Sequence, residues 1–388
     1  MDFKIYQICY QAMYGLIVSM LLISTPGFTK DAYGDRQSDL ESEFDIVDTF
    51  DGLKNWRGAT GVHYDSGTMP KKENDGASIW SYYSCDNNAS IKDDWIKDHG
   101  DGYRLGSAGK SLCVNYNNRV GGSSFGNTGY GPSRIGTYFG SGNSTDGYQK
   151  IHIFFMVKFR PGFFNMQAGT NIADVGVVEF IGVFTGFSSI ETWGDPPERD
   201  SACSHTSRSL KDYGMQGTMI HLYGGTRYSN TLFLRQSSWR AMDRVVCYDN
   251  LEFDSRINLT EAGFRATFES LYLNNKWIGI ELIVDIGTPN NSNASTEVYL
   301  YDIKGTEIGH FKRNGYNQLF FFDHKMNKIT IGGNRYGAVD NQQDEGDSLE
   351  NRFYVDDFIV HQSRIGPTYF NIVRGLSAPV NLRTVHTK

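Results

Sequence analysis

Prolines are scarce, nine in 388 residues. Basic charge is not in excess either: 37 Lys and Arg against 44 Asp and Glu leave a net charge of −7. That balance excludes an electrostatic nucleic-acid binder, which needs a basic stripe to displace phosphate counterions. No apolar run beyond Ile23 is long enough to span a bilayer. None of the five cysteines forms a CxxC pair, which argues against a zinc site. The glycine-rich stretches are not followed by a helical pattern, as a phosphate loop requires, which argues against a nucleotide site. Long amphipathic helices and internal repeats are missing too. What is abundant is glycine, 43 residues, and aromatics, 25 Phe, 23 Tyr and 6 Trp. A chain this aromatic is not disordered, and one this rich in glycine turns is not a helical bundle. The composition suits a large all-β protein in one sandwich domain.

The amino terminus has the layout of a secretory leader. Lys4 precedes an apolar stretch over residues 12–23, and Ser24, Thr25, Pro26 and Gly27 break it. Cleavage is expected between Ser24 and Ala32, the alternative being an uncleaved anchor. The expected location is secreted or extracellular, with the periplasm and the cell surface as variants and no membrane association once the leader is removed. Residues 1–30 are thus leader and the start of a spacer, and residues 31–43 lack an apolar period and read as spacer. The folded domain is expected over residues 44–374, with a tail at 375–388. Beyond Cys9 in the leader stand Cys85, Cys113, Cys203 and Cys247, an even number that in an exported chain suggests two disulfides. Of three possible pairings, Cys85–Cys113 and Cys203–Cys247 are favoured, since each closes a stretch poor in strand pattern. Four buried thiols are the alternative.

Period-two alternation marks the strands. Over residues 151–159, Ile151, Ile153, Phe155, Val157 and Phe159 share one parity and His152, Phe154, Met156 and Lys158 the other. Over 277–286, Ile278, Ile280, Leu282, Val284 and Ile286 oppose Trp277, Gly279, Glu281, Ile283 and Asp285. Further strands are expected at 175–184, 218–223, 231–236, 297–303, 328–332 and 352–361, and a short helix at 260–270. Residues 115–147 are dense in Gly, Asn and Ser and read as a long loop, either a binding segment or a surface insertion. Many short strands between turn signals point to a two-sheet antiparallel sandwich.

Three stretches resemble the concanavalin A-like lectin/glucanase family of jelly rolls, which includes laminin-G-like domains. They are the opening Asp48-Thr-Phe-Asp51-Gly-Leu-Lys-Asn-Trp56, the hairpin Trp277…Glu281…Asp285 followed by Val298-Tyr-Leu-Tyr-Asp302, and the closing Tyr354-Val-Asp-Asp357-Phe-Ile-Val360. The resemblance implies a jelly-roll sandwich whose concave sheet binds or cleaves glycans, or serves adhesion. The family's retaining glucanases carry Glu-x-Asp-x-Glu on one strand face; here Val178-Glu179-Phe180-Ile181-Gly182 has a single carboxylate, which speaks against that mechanism. Gln149-Lys-Ile-His152 is similar to the Gln-x-His strand of its alginate-lyase branch.

The mixed parity of each strand supplies candidates for a site. A polysaccharide lyase needs a cation or amide to neutralise a uronate, a base for the C5 proton and an acid for the leaving oxygen. Arg235, His152 or His221, and Tyr223 fit those roles; ordinary hydrogen-bonded histidines are the plainer reading. Lys158, Glu179, Trp277, Glu281, Tyr299 and Tyr301 are candidate ligand contacts, the aromatics as a stacking platform or as cross-strand packing. Asp48 and Asp51 near the start and Asp356 and Asp357 near the end could hold a structural calcium ion, because first and last strands are neighbours in such jelly rolls. A second acidic group, Asp340, Asp344, Glu345 and Asp347, reads as a solvated loop. The expected partner is a polysaccharide or glycoconjugate, bound on the concave sheet. A lyase on a uronic-acid polymer and a protein-binding adhesion module are the alternatives, and the oligomeric state stays open.

Overall fold

A computed structural model describes residues 30–58, 69–84, 96–97, 109–115, 134–139, 146–159, 176–185, 216–224, 233–240, 257–258, 275–288, 293–316, 325–333, 335–336 and 352–377. They form two eight-stranded sheets in which every pairing is antiparallel, with a helix near each end of the described chain. The expected all-β sandwich is the observed architecture.

The first sheet contains β1 (Ile46–Asp48), β3 (Ile96–Lys97), β4 (Ser111–Asn115), β6 (Lys150–Phe159), β11 (Ile278–Asp285), β12 (Ala294–Tyr301), β13 (Glu307–Tyr316) and β16 (Arg352–His361). Its order is β13-β12-β11-β6-β16-β4-β3, with β1 also paired to β16, so the first and last strands are neighbours. The second sheet contains β2 (Tyr82–Ser84), β5 (Arg134–Tyr138), β7 (Gly176–Thr185), β8 (Gln216–Gly224), β9 (Phe233–Arg240), β10 (Ile257–Asn258), β14 (Lys328–Gly332) and β15 (Arg335–Tyr336). Its order is β10-β9-β8-β7-β14-β5-β2, with β15 added beside β7.

The parity rule holds where it was strongest. Ile151, Ile153, Phe155, Val157 and Phe159 of β6, and Ile278, Ile280, Leu282 and Val284 of β11, lie in the core between the sheets. They meet Phe180, Ile181 and Val183 of β7, Ile329 and Ile331 of β14 and Ile135 of β5. Phe180 packs edge-on against Phe155, with ring centroids 5.5 Å apart, and against Phe353 at 5.2 Å, so aromatics cross-link the sheets.

The first sheet's opposite face is covered as well. Helix α1 (Lys30–Glu41) and helix α2 (Gly366–Ser377) pack against each other across it. Leu40, Ile365, Tyr369, Phe370 and Val373 bury Phe154, Met156, Trp277 and Tyr301. This corrects the expectation of a polar spacer at 31–43, most of which is α1. That helix has no apolar stripe of its own and is held by tertiary contacts: Gln37 donates to the Val47 carbonyl at 3.1 Å and accepts from the Thr49 N–H at 3.0 Å. The expected 115–147 loop is interrupted by β5. The helix expected at 260–270 lies outside the described residues, as do Cys85, Cys203, Cys247 and the acidic group from Asp340 to Asp347. Cys113 is buried on β4 opposite Tyr354, in the layer beneath the helices. No described helix is long and apolar enough to cross a membrane.

Candidate functional site

The sandwich divides the sequence-derived candidates into two groups with the core between them. His152, Lys158, Trp277, Glu281, Tyr299 and Tyr301 belong to the first sheet or its edge. Glu179, His221, Tyr223 and Arg235 belong to the second.

The first group corrects the expectation of a ligand groove. Glu281 is fully buried, and His152 and Trp277 are nearly so. The Glu281 carboxylate accepts hydrogen bonds from the backbone N–H groups of Ile365 (2.8 Å) and Gly366 (3.1 Å) at the start of α2. It also accepts from the Tyr301 hydroxyl (3.0 Å) and Arg364 Nε (3.0 Å), with His152 Nδ1 at 3.1 Å. Burial pushes the Glu281 carboxyl up, but the bonds from His152 and the two N–H groups and the Arg364 charge more than offset it, holding it below its ordinary value. Glu281 therefore anchors the first turn of α2, where unpaired N–H groups favour an anion. Tyr299 offers no stacking face. His310 lies flat on one side, 4.0 Å away and tilted by 8°, and the Arg364 guanidinium lies 3.4 Å from the ring centroid. Tyr301 is buried beneath α2. Lys158 is half-buried opposite Tyr354, and burial lowers the pKa of its ammonium.

The acidic residues from the two chain ends do come together, around a guanidinium. Arg36 of α1, 2% exposed, lies 2.5 Å from Asp51 and 3.3 Å from Asp357. Asp48 accepts from the Phe50 N–H at 2.7 Å and from Trp80 Nε1 at 2.8 Å, and Asp51 accepts from the Lys110 N–H at 2.7 Å. A regular strand would point Asp356 and Asp357 to opposite faces. Here β16 carries a bulge between Asp356 and Ile359, with Asp357 at φ 51°, and both carboxylates act on Arg36. Among the described residues no three metal-capable side chains gather in one site.

In the second group, cross-strand register does the assembling. Glu179 of β7 pairs with His221 of β8, His221 with Arg235 of β9, and Arg235 with Asn258 of β10. These four positions form one row across adjacent strands, about 14 Å long at the usual strand spacing. The parity is opposite to that of buried Ile220, so the row belongs to the outer face. A β-bulge makes the alignment possible. In a regular strand Glu179 would share the parity of Ile181 and Val183, both buried in the core. The register shift between Glu179 and Ile181 turns two successive residues, Phe180 and Ile181, to the core and returns Glu179 to the outer parity. The adjacent row on that face reads Phe233, Tyr223, Val177, Tyr336, again in register across β9, β8, β7 and β15. An aromatic row thus adjoins a charged one.

Sequence reasoning singled out Glu179, His221, Tyr223 and Arg235 but not Asn258. Its place at the end of the row follows from the β9–β10 pairing, which no local pattern announces.

No family model matches the chain, and no curated protein matches it in sequence. Among solved structures the chain is similar to the alginate lyase from Aplysia kurodai, with 12% identity, 69% of this chain and 86% of that chain covered, and a TM-score of 0.35. It is similar to the alginate lyase Aly36B in complex with alginate tetrasaccharide, with 12% identity, 81% and 97% coverage and a TM-score of 0.37. It is also similar to the binding domain of Paraclostridial Mosquitocidal Protein 1, with 11% identity, 84% and 52% coverage and a TM-score of 0.35.

Proposed function

We propose that this protein binds an acidic polysaccharide across the outer face of its second sheet. The observation that carries the reading is the in-register row Glu179–His221–Arg235–Asn258 beside the row Phe233–Tyr223–Val177–Tyr336. Polysaccharide recognition combines hydrogen-bonding and charged groups with rings that pack against the C–H face of a pyranose. An arginine beside a histidine and an amide suits a carboxylate-bearing sugar, because a guanidinium bonds a carboxylate in a bidentate fork. The competing face, on the first sheet, is occupied by the chain's own helices. The leader-like amino terminus fits an extracellular polymer.

A second reading is favoured by the spacing of Tyr223, two residues from His221 on the same strand and parity, with Arg235 opposite His221. That trio matches β-elimination. Arg235 would neutralise the uronate carboxylate, His221 would take the C5 proton, and Tyr223 would protonate the leaving glycosidic oxygen. The C4–O bond breaks as the C4=C5 double bond forms.

One experiment tests both. The protein is incubated with alginate, polygalacturonate and hyaluronan, and with a neutral β-glucan as control. Retention of an acidic polymer without growth of unsaturated-product absorbance supports binding alone. Growth of that absorbance, abolished by His221→Ala or Tyr223→Phe, supports elimination. Arg235→Ala is expected to weaken retention by about tenfold or more, the range of a charge-assisted hydrogen bond. Equal retention of wild type and Arg235→Ala on every polymer overturns the proposal.

A further inference from the structure

At one end of the first sheet two histidines stand directly opposite one another. His361 closes β16 and is in register with His152 of β6. Their chain neighbours Val360, Ile151 and Ile153 lie in the core, so both imidazoles belong to the sheet's outer face. Directly opposed residues of antiparallel strands have Cβ atoms about 4.5–5.5 Å apart. Imidazoles on such a pair can share one metal ion, whose bonds to nitrogen are about 2.0–2.1 Å long.

Each ring is oriented by its own carboxylate. His152 Nδ1 lies 3.1 Å from Glu281 Oε1, on β11. His361 Nδ1 lies 3.0 Å from Asp45 Oδ2, just ahead of β1. β11 adjoins β6 and β1 adjoins β16, so the two carboxylates flank the histidine pair on opposite sides. In an imidazole the edge opposite Nδ1 is the Cδ2–Nε2 bond. With each Nδ1 drawn to its own flank, the two Nε2 edges are turned toward one another. A neutral imidazole that directs its Nδ1 proton at a carboxylate carries its lone pair on Nε2. Metal-bound histidines characteristically have such a carboxylate on the other nitrogen, which fixes the ring and raises its basicity. The supports are themselves held. The Tyr148 hydroxyl donates to the same Asp45 oxygen at 2.9 Å, and Phe44 packs edge-on against the His361 ring, centroids 5.6 Å apart. The Ile365 and Gly366 N–H groups fix Glu281. The His361 side chain is 18% exposed, which gives an ion a way in.

We propose that His152 and His361 bind one divalent transition-metal ion through Nε2, with Glu281 and Asp45 behind them and water in the remaining positions. Imidazole nitrogens suit Zn²⁺, Cu²⁺ and Ni²⁺, whereas Ca²⁺ and Mg²⁺ take oxygen. The site stands on the first sheet and is independent of the polysaccharide reading. A bound ion ties the end of β16, and with it the connection into α2, to β6.

Melting of the protein with added Zn²⁺, and a Cu²⁺ titration read by electron paramagnetic resonance, test this. An ion that binds only the native state raises the melting temperature as its concentration rises. Zn²⁺ is expected to do so and Ca²⁺ is not. The Cu²⁺ spectrum is expected to show two coordinated nitrogens, and to lose that signature in His361→Gln. Asp45→Asn keeps both ligands and is expected to weaken Zn²⁺ binding about 10- to 100-fold, the range for loss of a supporting carboxylate. His310→Gln, on β13, is expected to bind as wild type does. No rise with Zn²⁺, an equal rise with Ca²⁺, or a two-nitrogen Cu²⁺ signal that survives in His361→Gln overturns the site. His152→Gln is the companion variant and is expected to lose the signal too. Should it fail to fold, because His152 is buried against Glu281, His361→Gln at its partly exposed position decides.

Discussion

At Arg36 a single guanidinium neutralises carboxylates drawn from both ends of the fold. Burial would lower the pKa of this group, but Asp357, Asp356 and Asp51 more than offset it and hold the guanidinium above its ordinary value. Arg36→Met is expected to cost about 3–5 kcal/mol, because it strands Asp357 and Asp51 in a buried site without their cation. A urea denaturation series checks this, and a loss under about 1 kcal/mol, the surface-pair range, would refute it. Two other carboxylates impose opposite pH dependences. Burial, aided by Asp51, raises the Asp48 carboxyl from 3.8 to about 7 against the bonds from Phe50 and Trp80. Between those values the native state holds a proton that the unfolded state has released, so this contribution declines as pH rises from about 4 to about 7. Glu281 is held below its ordinary value of 4.5. Its contribution is present above that value and is lost as pH falls through the depressed native value. Urea midpoints measured against pH should lose the first slope in Asp48→Asn and the second in Glu281→Gln; an unchanged profile in either variant contradicts the assignment.

At the scale of elements, two bulges and one helix decide which residues meet. The β7 bulge returns Glu179 to the parity of His221, and the β16 bulge turns Asp357 toward Arg36. Both exceed what an alternation rule reads, since one extra residue inverts every parity on one side of it. Helix α2 was not among the expected elements, though its spacing was legible. Ile365, Tyr369, Phe370 and Val373 have helical spacing and pack on Phe154. Its docking onto Glu281 was not, because that contact joins residues 84 positions apart. Replacing Glu281 by Gln sets an amide group among N–H and guanidinium donors, at a cost of about 3 kcal/mol. Amide exchange should then quicken through Gly366–Ser377 while β6 stays protected. Loss of protection in both together would mean that α2 does not undock as a separate unit.

The whole molecule, in its described parts, is three layers: helices, first sheet, second sheet. The first sheet's central strands are buried on both faces, which the burial of nearly all of β6, β11 and β16 records. The amides of Phe155, Ile280 and Val355 are therefore expected to exchange last, near the global unfolding free energy, and those of edge strand β13 earlier. Exchange as slow in β13 as in β6 would contradict this layering. The asymmetry also separates the two outer faces: the helices cover that of the first sheet, and Arg235 and His221 belong to that of the second.

Alternating apolar residues and glycine turns were enough to specify antiparallel strands and the side of β6 and β11 that is buried, because burial of one parity is a local property of the chain. The division of His152 from His221, the conversion of Glu281 from ligand contact to helix anchor, and the row from Glu179 to Asn258 were decided by tertiary structure alone. Each depends on which strand lies beside which, on where a bulge shifts register, and on what covers an outer face, and these are set by contacts between residues far apart in the chain.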